Sequence, residues 1–268
     1  MDILQNSSAS TIKGSVTAAF TIAEMEARKI RHDSTELWAR SIQPALWLLI
    51  FGEVFNGIRA NLAPPGLTYL QYLSPGVLAQ SILFIAIFYG ITVVWERDVG
   101  LLTKLMSTPS PRTSIIVGKA LASGVRGMFQ GVVIIALALI LGINLTLNAV
   151  TILGVFLICV LFAMCFSSLS MFIASLLRTR ERMMGIGQAI TMPLFFASSA
   201  IYPIQVMPGW LQVVSKGNPL TYVVDALRTI LDPNFKASFP FYLDVLALLI
   251  STVIFISLAS ISIKRLIE

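Results

Sequence analysis

Residues 149–177 read AVTILGVFLICVLFAMCFSSLSMFIASLL, twenty-nine positions without a charged side chain. A helix crosses the hydrocarbon of a bilayer with roughly 20 residues, the usual range being about 17 to 25. A run of this length that is apolar on every face has lipid as its solvent. Five further stretches of the same kind flank it: Ile42–Ile58, Val77–Trp95, Ile115–Gly142, Gly185–Tyr202 and Phe241–Ile263. Ala149–Leu177 and Ile115–Gly142 exceed the usual span and are expected to tilt or protrude. The expected fold is therefore all-α and integral to the membrane, with six transmembrane helices in a single domain over 1–268. Within it, 1–40 form a cytoplasmic tail and amphipathic helix, and 41–268 form the bundle.

Composition agrees. Of 268 residues, 56% are apolar and 12% charged, where a soluble domain carries about 25% charged residues. The mean hydropathy is +0.85. A net charge of +6 could suggest a nucleic-acid partner. Its distribution points instead to topology, because fifteen of the 19 basic residues fall on alternate loops and tails. Arg59, Lys216, Arg228 and Lys236 are left on the other side. The bias orients both termini toward the cytoplasm. Met1–Ser15 lacks the apolar core of a cleavable signal. Cys159 and Cys165, six apart on one helix, cannot pair with each other, and a single His32 gives no metal-ligand pattern.

Ahead of the first span, Phe20, Ala23, Ala27, Ile30 and Leu37 recur at helical spacing, with Glu24, Glu26, Arg28, Lys29 and Arg31 on the other face. This is the pattern of an amphipathic helix lying in the headgroup region. Asp33 and Glu36 mark a restart, so the chain is expected to turn into the membrane near His32–Ser34. A plain juxtamembrane anchor and a coupling role both fit.

Two loops carry further short helices. In the second loop Leu101, Leu102, Leu105 and Met106 share one face, Arg97, Thr103 and Lys104 point elsewhere, and Pro109 and Pro111 stop the helix. Such an edge can enter a groove of another protein or rest on the membrane surface. In the fifth loop Asn218 is a good N-cap and Pro219 suits the first helical position. Leu220, Val223, Val224, Leu227 and Leu231 then form an apolar stripe. About 12 residues rise only some 18 Å, too little to span, so two short re-entrant helices are expected on the outer side. Asp225 and Arg228, three apart, can pair weakly or form part of a gate.

Catalytic signatures are missing from the sequence. Gly118-Lys119 is the nearest approach to a phosphate-binding loop, but Thr113 replaces its first glycine and Ala120 its Ser/Thr. Glu53 and Asn56 in the first span, and Gln188 in the fifth, are the polar candidates for a substrate path. The bland alternatives are a pairing of Glu53 with Arg59 near the interface and an interhelical bond for Gln188. Gly127-Met-Phe-Gln-Gly131 and the small face Ala163, Ser167, Ser170 indicate close helix packing.

Trp95-Glu-Arg-Asp-Val-Gly-Leu-Leu-Thr-Lys-Leu-Met-Ser-Thr-Pro109 with Gly118-Lys119 resembles the first cytoplasmic loop of ABC-2 type permeases. Met207-Pro-Gly-Trp-Leu, with Asn218-Pro-Leu-Thr-Tyr-Val-Val-Asp-Ala-Leu-Arg228, resembles that family's signature before the last span. The closest flavour is the daunorubicin-resistance and nodulation-export branch. The resemblance implies the permease subunit of an ATP-driven exporter in the inner membrane of a prokaryote, itself no enzyme. A second permease copy would make a dimer, and two separate ATPase subunits would bind ATP and magnesium. Leu101, Leu102, Leu105 and Met106, flanked by Glu96 and Arg97, would couple to the ATPase. Trp210, Asn218, Pro219, Thr221, Tyr222, Asp225 and Arg228 would belong to the outer gate. Cargo would be a drug, lipid or glycolipid moved by alternating access. The competing reading, an ATP-independent transporter or channel, calls for midplane ionisable residues that the spans lack.

Overall fold

The computed structural model of the chain describes residues 2–32, 34–58, 68–107, 111–177, 179–233 and 235–263, without the side chains of 2–13, 30–32, 34–37, 51–53 and 55–58. Asp33, Arg59, Pro109 and the side chains of Ile30, Glu36, Leu37, Glu53 and Asn56 therefore lie outside the described part. Among the described residues the secondary structure is helical throughout.

Two helices precede the first loop, α1 (Asp2–His32) and α2 (Ser34–Ile58). The expected turn into the membrane near His32–Ser34 falls on Asp33, outside the described residues. α3 (Tyr69–Asp98) starts on a capping box in which Thr68 and Gln71 bond reciprocally, satisfying amides that the first turn leaves free. Pro75, inside α3, donates no amide proton to the Gln71 carbonyl, and the Ser74 hydroxyl reaches that oxygen at 3.4 Å. Gly100, with φ of 74°, turns the chain into α4 (Leu101–Met106), a corner that a side chain would strain.

α5 (Arg112–Ile140) and α6 (Ala149–Leu176, capped by Asn148) follow, then α7 (Arg180–Phe196, capped by Thr179). α8 (Gly209–Gly217), α9 (Pro219–Leu231) and α10 (Phe241–Ser262) complete the chain. Tyr72 near the start of α3, the 143–146 segment after α5 and residues 194–201, at the end of α7 and just beyond it, all meet α9 or its flanks. The opposite end gathers α1, α4 and the start of α5. The bundle thus has an α4 end and an α9 end, with α2, α3, α5, α6, α7 and α10 running between them.

α3, α5, α6 and α10 are long and apolar enough to cross a membrane. Of the four, α3 is the most enclosed, with 78% of its most apolar window buried, whereas only 22% of that of α10 is. α7 falls outside this group because it has 17 residues and opens on Arg180, Glu181 and Arg182.

The expected fifth span ran to Tyr202, but the helix stops at Phe196. Pro193 weakens the ladder near its end, and the freed carbonyls beyond find other donors. The Tyr72 hydroxyl bonds Ser199 O at 3.3 Å and Arg228 bonds Ala200 O at 3.0 Å. Close packing falls where the small residues indicate. A Cβ on Gly127 would meet Ala163 Cβ at 3.0 Å, and one on Gly131 would meet Cys159 Sγ at 3.5 Å. Ser170 bonds across to Ile87 O on α3. Both cysteines are free and buried.

Candidate functional site

At the α4 end, Leu102 is fully buried in a cluster with Ile22, Val93, Ile115, Ile116 and Ile263, and Leu105 and Met106 pack on the same cluster. The apolar edge of α4 is thus covered by the chain's own bundle. Leu101 is half-buried, while Val99, Thr103 and Lys104 are exposed. The face available to another protein is mostly polar. The spacing of the leucines identifies an apolar edge but not what covers it.

The approach to α4 is braced by charge. Arg97 donates to Asp98 at 2.7 Å and Arg180 Nε donates to the other Asp98 oxygen at 3.0 Å, tying the end of α3 to α7. Glu96 points inward to Lys119 of α5, which also donates to Glu26 of α1 at 3.2 Å. The sequence motif Gly118-Lys119 is therefore the seat of α1: a Cβ at Gly118 would stand 2.7 Å from Ala19 O and 2.8 Å from Ile22 Cβ. Ala19, Ile22 and Glu26 form the buried face of α1, while Val16 and Phe20 are exposed. Of the apolar stripe read from the sequence, Phe20 is exposed and Ala23 and Ala27 are half-buried, so the packed face lies beside that stripe rather than on it. The sequence sets Glu26 on the polar face of the helix, but the fold buries it against Lys119, a partner 93 residues away that helical spacing does not reveal.

Burial pushes the Glu26 carboxyl up, but the Lys119 and Lys29 ammonium groups outweigh it and hold the group at about 2 against an ordinary 4.5. A carboxylate lowered in the fold contributes stability above its unfolded value and loses it as pH falls through the folded one. The seat of α1 is thus expected to hold from neutral pH down to about 4.5 and to loosen between there and about 2. A nitroxide at Phe20→Cys reports this as rising mobility. Mobility that already rises between pH 7 and 5 would contradict the assignment.

Midway along the bundle a cleft of about 490 Å³ opens between α2, α3 and α7, lined by Arg40, Gln43, Gln80, Phe84, Phe88 and Gln188. Phe84 and Phe88 stack at 5.9 Å, and the Arg40 guanidinium lies 5.6 Å from the Phe88 ring. Gln188 thus shares a cavity with two further amides. Glu53 and Asn56 lie on α2, their side chains outside the described part.

At the α9 end, Asn218 accepts from Leu220 N at 3.0 Å and donates to Leu194 O at 2.7 Å, and Pro219 opens α9. Thr221 is buried against the Ser215 hydroxyl at 3.1 Å, and the half-buried Tyr222 donates to Lys216 O at 2.6 Å. Trp210 is 70% exposed on α8. Asp225 and Arg228 are both buried and do not pair with each other. Asp225 accepts from Ser238 N and Phe239 N at 2.9 and 3.0 Å. Arg228 donates to Tyr72 O at 3.1 Å and Ala200 O at 3.0 Å, with Tyr72's ring 3.6 Å away. Their three-residue spacing suggested a pair. Instead, backbone donors and acceptors from other segments supply better geometry for each.

Long apolar helices packed side by side, with short helices at both ends of the bundle, define a multi-pass membrane protein. The chain belongs to the ABC-2 type transporter family, whose model matches residues 17–231. It is similar to the transport permease ycf38 of Porphyra purpurea, 31% identical over 75% of this chain and 70% of that protein. The daunorubicin resistance ABC transporter permease protein DrrB1 of Streptomyces coeruleorubidus is 23% identical over 81% and 75% of the respective chains. The inner membrane transport permease YadH of Escherichia coli K12 is 23% identical over 74% of this chain and 77% of its own.

Proposed function

We propose that this chain is the membrane-spanning subunit of an ATP-driven exporter. Six helices, α2, α3, α5, α6, α7 and α10, cross the inner membrane of a prokaryote, and α1, α4 and both termini face the cytoplasm. Two copies form the transporter, and two separate ATPase subunits bind ATP and magnesium and dock against the α3–α4 corner. The cargo is a hydrophobic or amphipathic molecule entering by the cleft of Gln43, Gln80, Phe84 and Gln188. Amides at that depth supply hydrogen bonds where lipid supplies none. Helices α8 and α9 close the exit.

The observation that carries this reading is the α3–α4 corner. A six-residue helix anchored by Leu102 on the bundle holds Val99, Thr103 and Lys104 outward on a rigid knob. A knob with a buried root transmits a push; a mobile loop would absorb it. Thr103→Glu with Lys104→Glu is therefore expected to reduce capture of the host ATPase at least about tenfold, the loss of roughly 1.4 kcal/mol at the contact. Both residues are exposed, so the thermal unfolding midpoint should stay unchanged. Capture and ATP-dependent transport at parental levels in that variant would remove the coupling assignment. Charges at Leu102 or Leu105 would test the fold instead, because both pack inward.

A further inference from the structure

Four charges from three helices meet in one cluster at the α4 end. The fully buried ammonium of Lys119 on α5 donates to Glu26 on α1 at 3.2 Å and to Glu96 on α3. Lys29 closes the cluster from its rim, 2.9 Å from Glu26 and 3.3 Å from Glu96. Two ammonium groups and two carboxylates cancel. Lys119 also begins a polar row on α5, since Ser123, Arg126 and Gln130 follow at four- and three-residue steps and share its face. Arg126 lies over the Tyr89 ring of α3 at 4.6 Å, and Gln130 accepts from the Ser41 hydroxyl of α2 at 3.1 Å.

Stability alone does not account for this arrangement. A buried ion cluster is often no more stabilising than apolar side chains of the same volume, although deleting one member leaves an uncompensated charge. What the cluster adds is direction. Apolar contacts let packed helices slide by small amounts, whereas ion pairs converging on one ammonium tolerate little displacement. Glu96 sits in the last turn of α3, four residues before the Gly100 corner. The side chain that holds Glu96 therefore also holds α4, and through Glu26 it holds α1. At Gly118 the backbones of α1 and α5 already touch, so a displaced corner has no slack to take up there.

We infer that Lys119 is a positioning residue that makes α1, the α3–α4 corner and α5 move as one body when α4 is pushed. The inference rests on the reading in which α4 meets an ATPase. α1 is then part of the moving assembly, and its exposed Val16 and Phe20 carry that motion to the membrane surface.

The test uses the permease with its host ATPase in lipid nanodiscs and measures distances between nitroxides. One pair, Phe20→Cys with Ser107→Cys, reports α1 against the end of α4. The other, Ser107→Cys with Val213→Cys, reports α4 against α8 at the far end. In the parent, ATP with vanadate should shift the second distance by about 2 Å or more, the scale of helix shifts in coupled transitions, and leave the first unchanged. In Glu26→Gln/Lys119→Met/Glu96→Gln, which removes the ion pairs and keeps side-chain length, both distances should shift because α1 is left behind. A first distance that stays fixed in this variant overturns the inference, as does one that shifts in the parent. A parent that captures the ATPase and shows no shift in the second distance overturns the reading of α4, and the inference with it. If the triple variant does not fold, Glu26→Ala/Lys29→Met gives the answer, since it cuts both links of α1 to the cluster and leaves Lys119 on Glu96. The first distance should then shift, and a fixed one again overturns the inference.

Discussion

Arg228→Met is expected to destabilise the protein by about 3 kcal/mol, read as a lowered unfolding midpoint in detergent. The guanidinium is 2% exposed and bonds to two backbone carbonyls on two different segments, Tyr72 O of α3 and Ala200 O beyond α7. Hydrogen bonds to a charged group are worth roughly 1.5–3 kcal/mol each, and the buried Ala200 carbonyl loses this donor, whereas Tyr72 O lies within the helical ladder of α3. Methionine needs no desolvation, which places the net loss toward the lower end of the sum. It also forfeits the stacking on Tyr72 at 3.6 Å. Arg228→Lys keeps the charge but reaches one carbonyl and cannot stack as a plane, so it should fall between parent and methionine. Trp210→Ala, at an exposed position of α8, should leave the midpoint within about 0.5 kcal/mol of the parent. An Arg228→Met protein as stable as the parent would mean that α9 is not held to α3 by this side chain.

The sequence shows much of this architecture because its strongest signals are local. Asn218 and Pro219 cap α9 as their chemistry requires. The leucines of 101–106 do form a helix. Local signals do not say what lies across an interface. The apolar edge of α4 is legible from its spacing, but Ile22, Ile115 and Ile263, which cover it, come from three distant segments. Arg228 and Asp225 look like a pair because only their own helix is visible in a one-dimensional reading. Their true partners are backbone atoms at 72, 200, 238 and 239. Lys119 illustrates the same limit from the other direction. A lysine after a glycine resembles the remnant of a phosphate loop, and only folding shows Glu26 and Glu96 on either side of it. The early end of α7 was hidden because the residues that replace its helical bonds, Tyr72 and Arg228, belong to other helices.

Gly76→Ala is expected to be as damaging as the loss of Arg228, although it adds a single carbon. Gly76 follows Pro75 on α3 and faces the turn beyond α7. A Cβ there would stand 2.9 Å from the Ala200 carbonyl carbon and 3.1 Å from its Cα, with the carbonyl oxygen closer still. All three are backbone atoms of a turn already tied by Arg228 and by the Tyr72 hydroxyl on Ser199 O. No side-chain rotation can relieve the contact, so the turn or α3 must move. Overpacking of this kind costs about 1–3 kcal/mol and occasionally more, and here the displacement also lengthens the Arg228 bond to Ala200. The upper end of that range is therefore expected, measured as unfolding in detergent beside two controls. Gly154→Ala would meet the flexible end of Ile230 at 3.4 Å, and Gly185→Ala would meet nothing within 4 Å. Both lie inside helices, where alanine is favoured over glycine by up to about 1 kcal/mol, so they should be neutral or stabilising. Because Gly76 and Arg228 act on one carbonyl, their effects should not add. The double variant Gly76→Ala/Arg228→Met is expected to cost less than the sum of the two, since each change already breaks the joint that the other weakens. Strict additivity would show that the two residues hold separate contacts and that the turn at Ala200 is not the point where α3, α7 and α9 are joined.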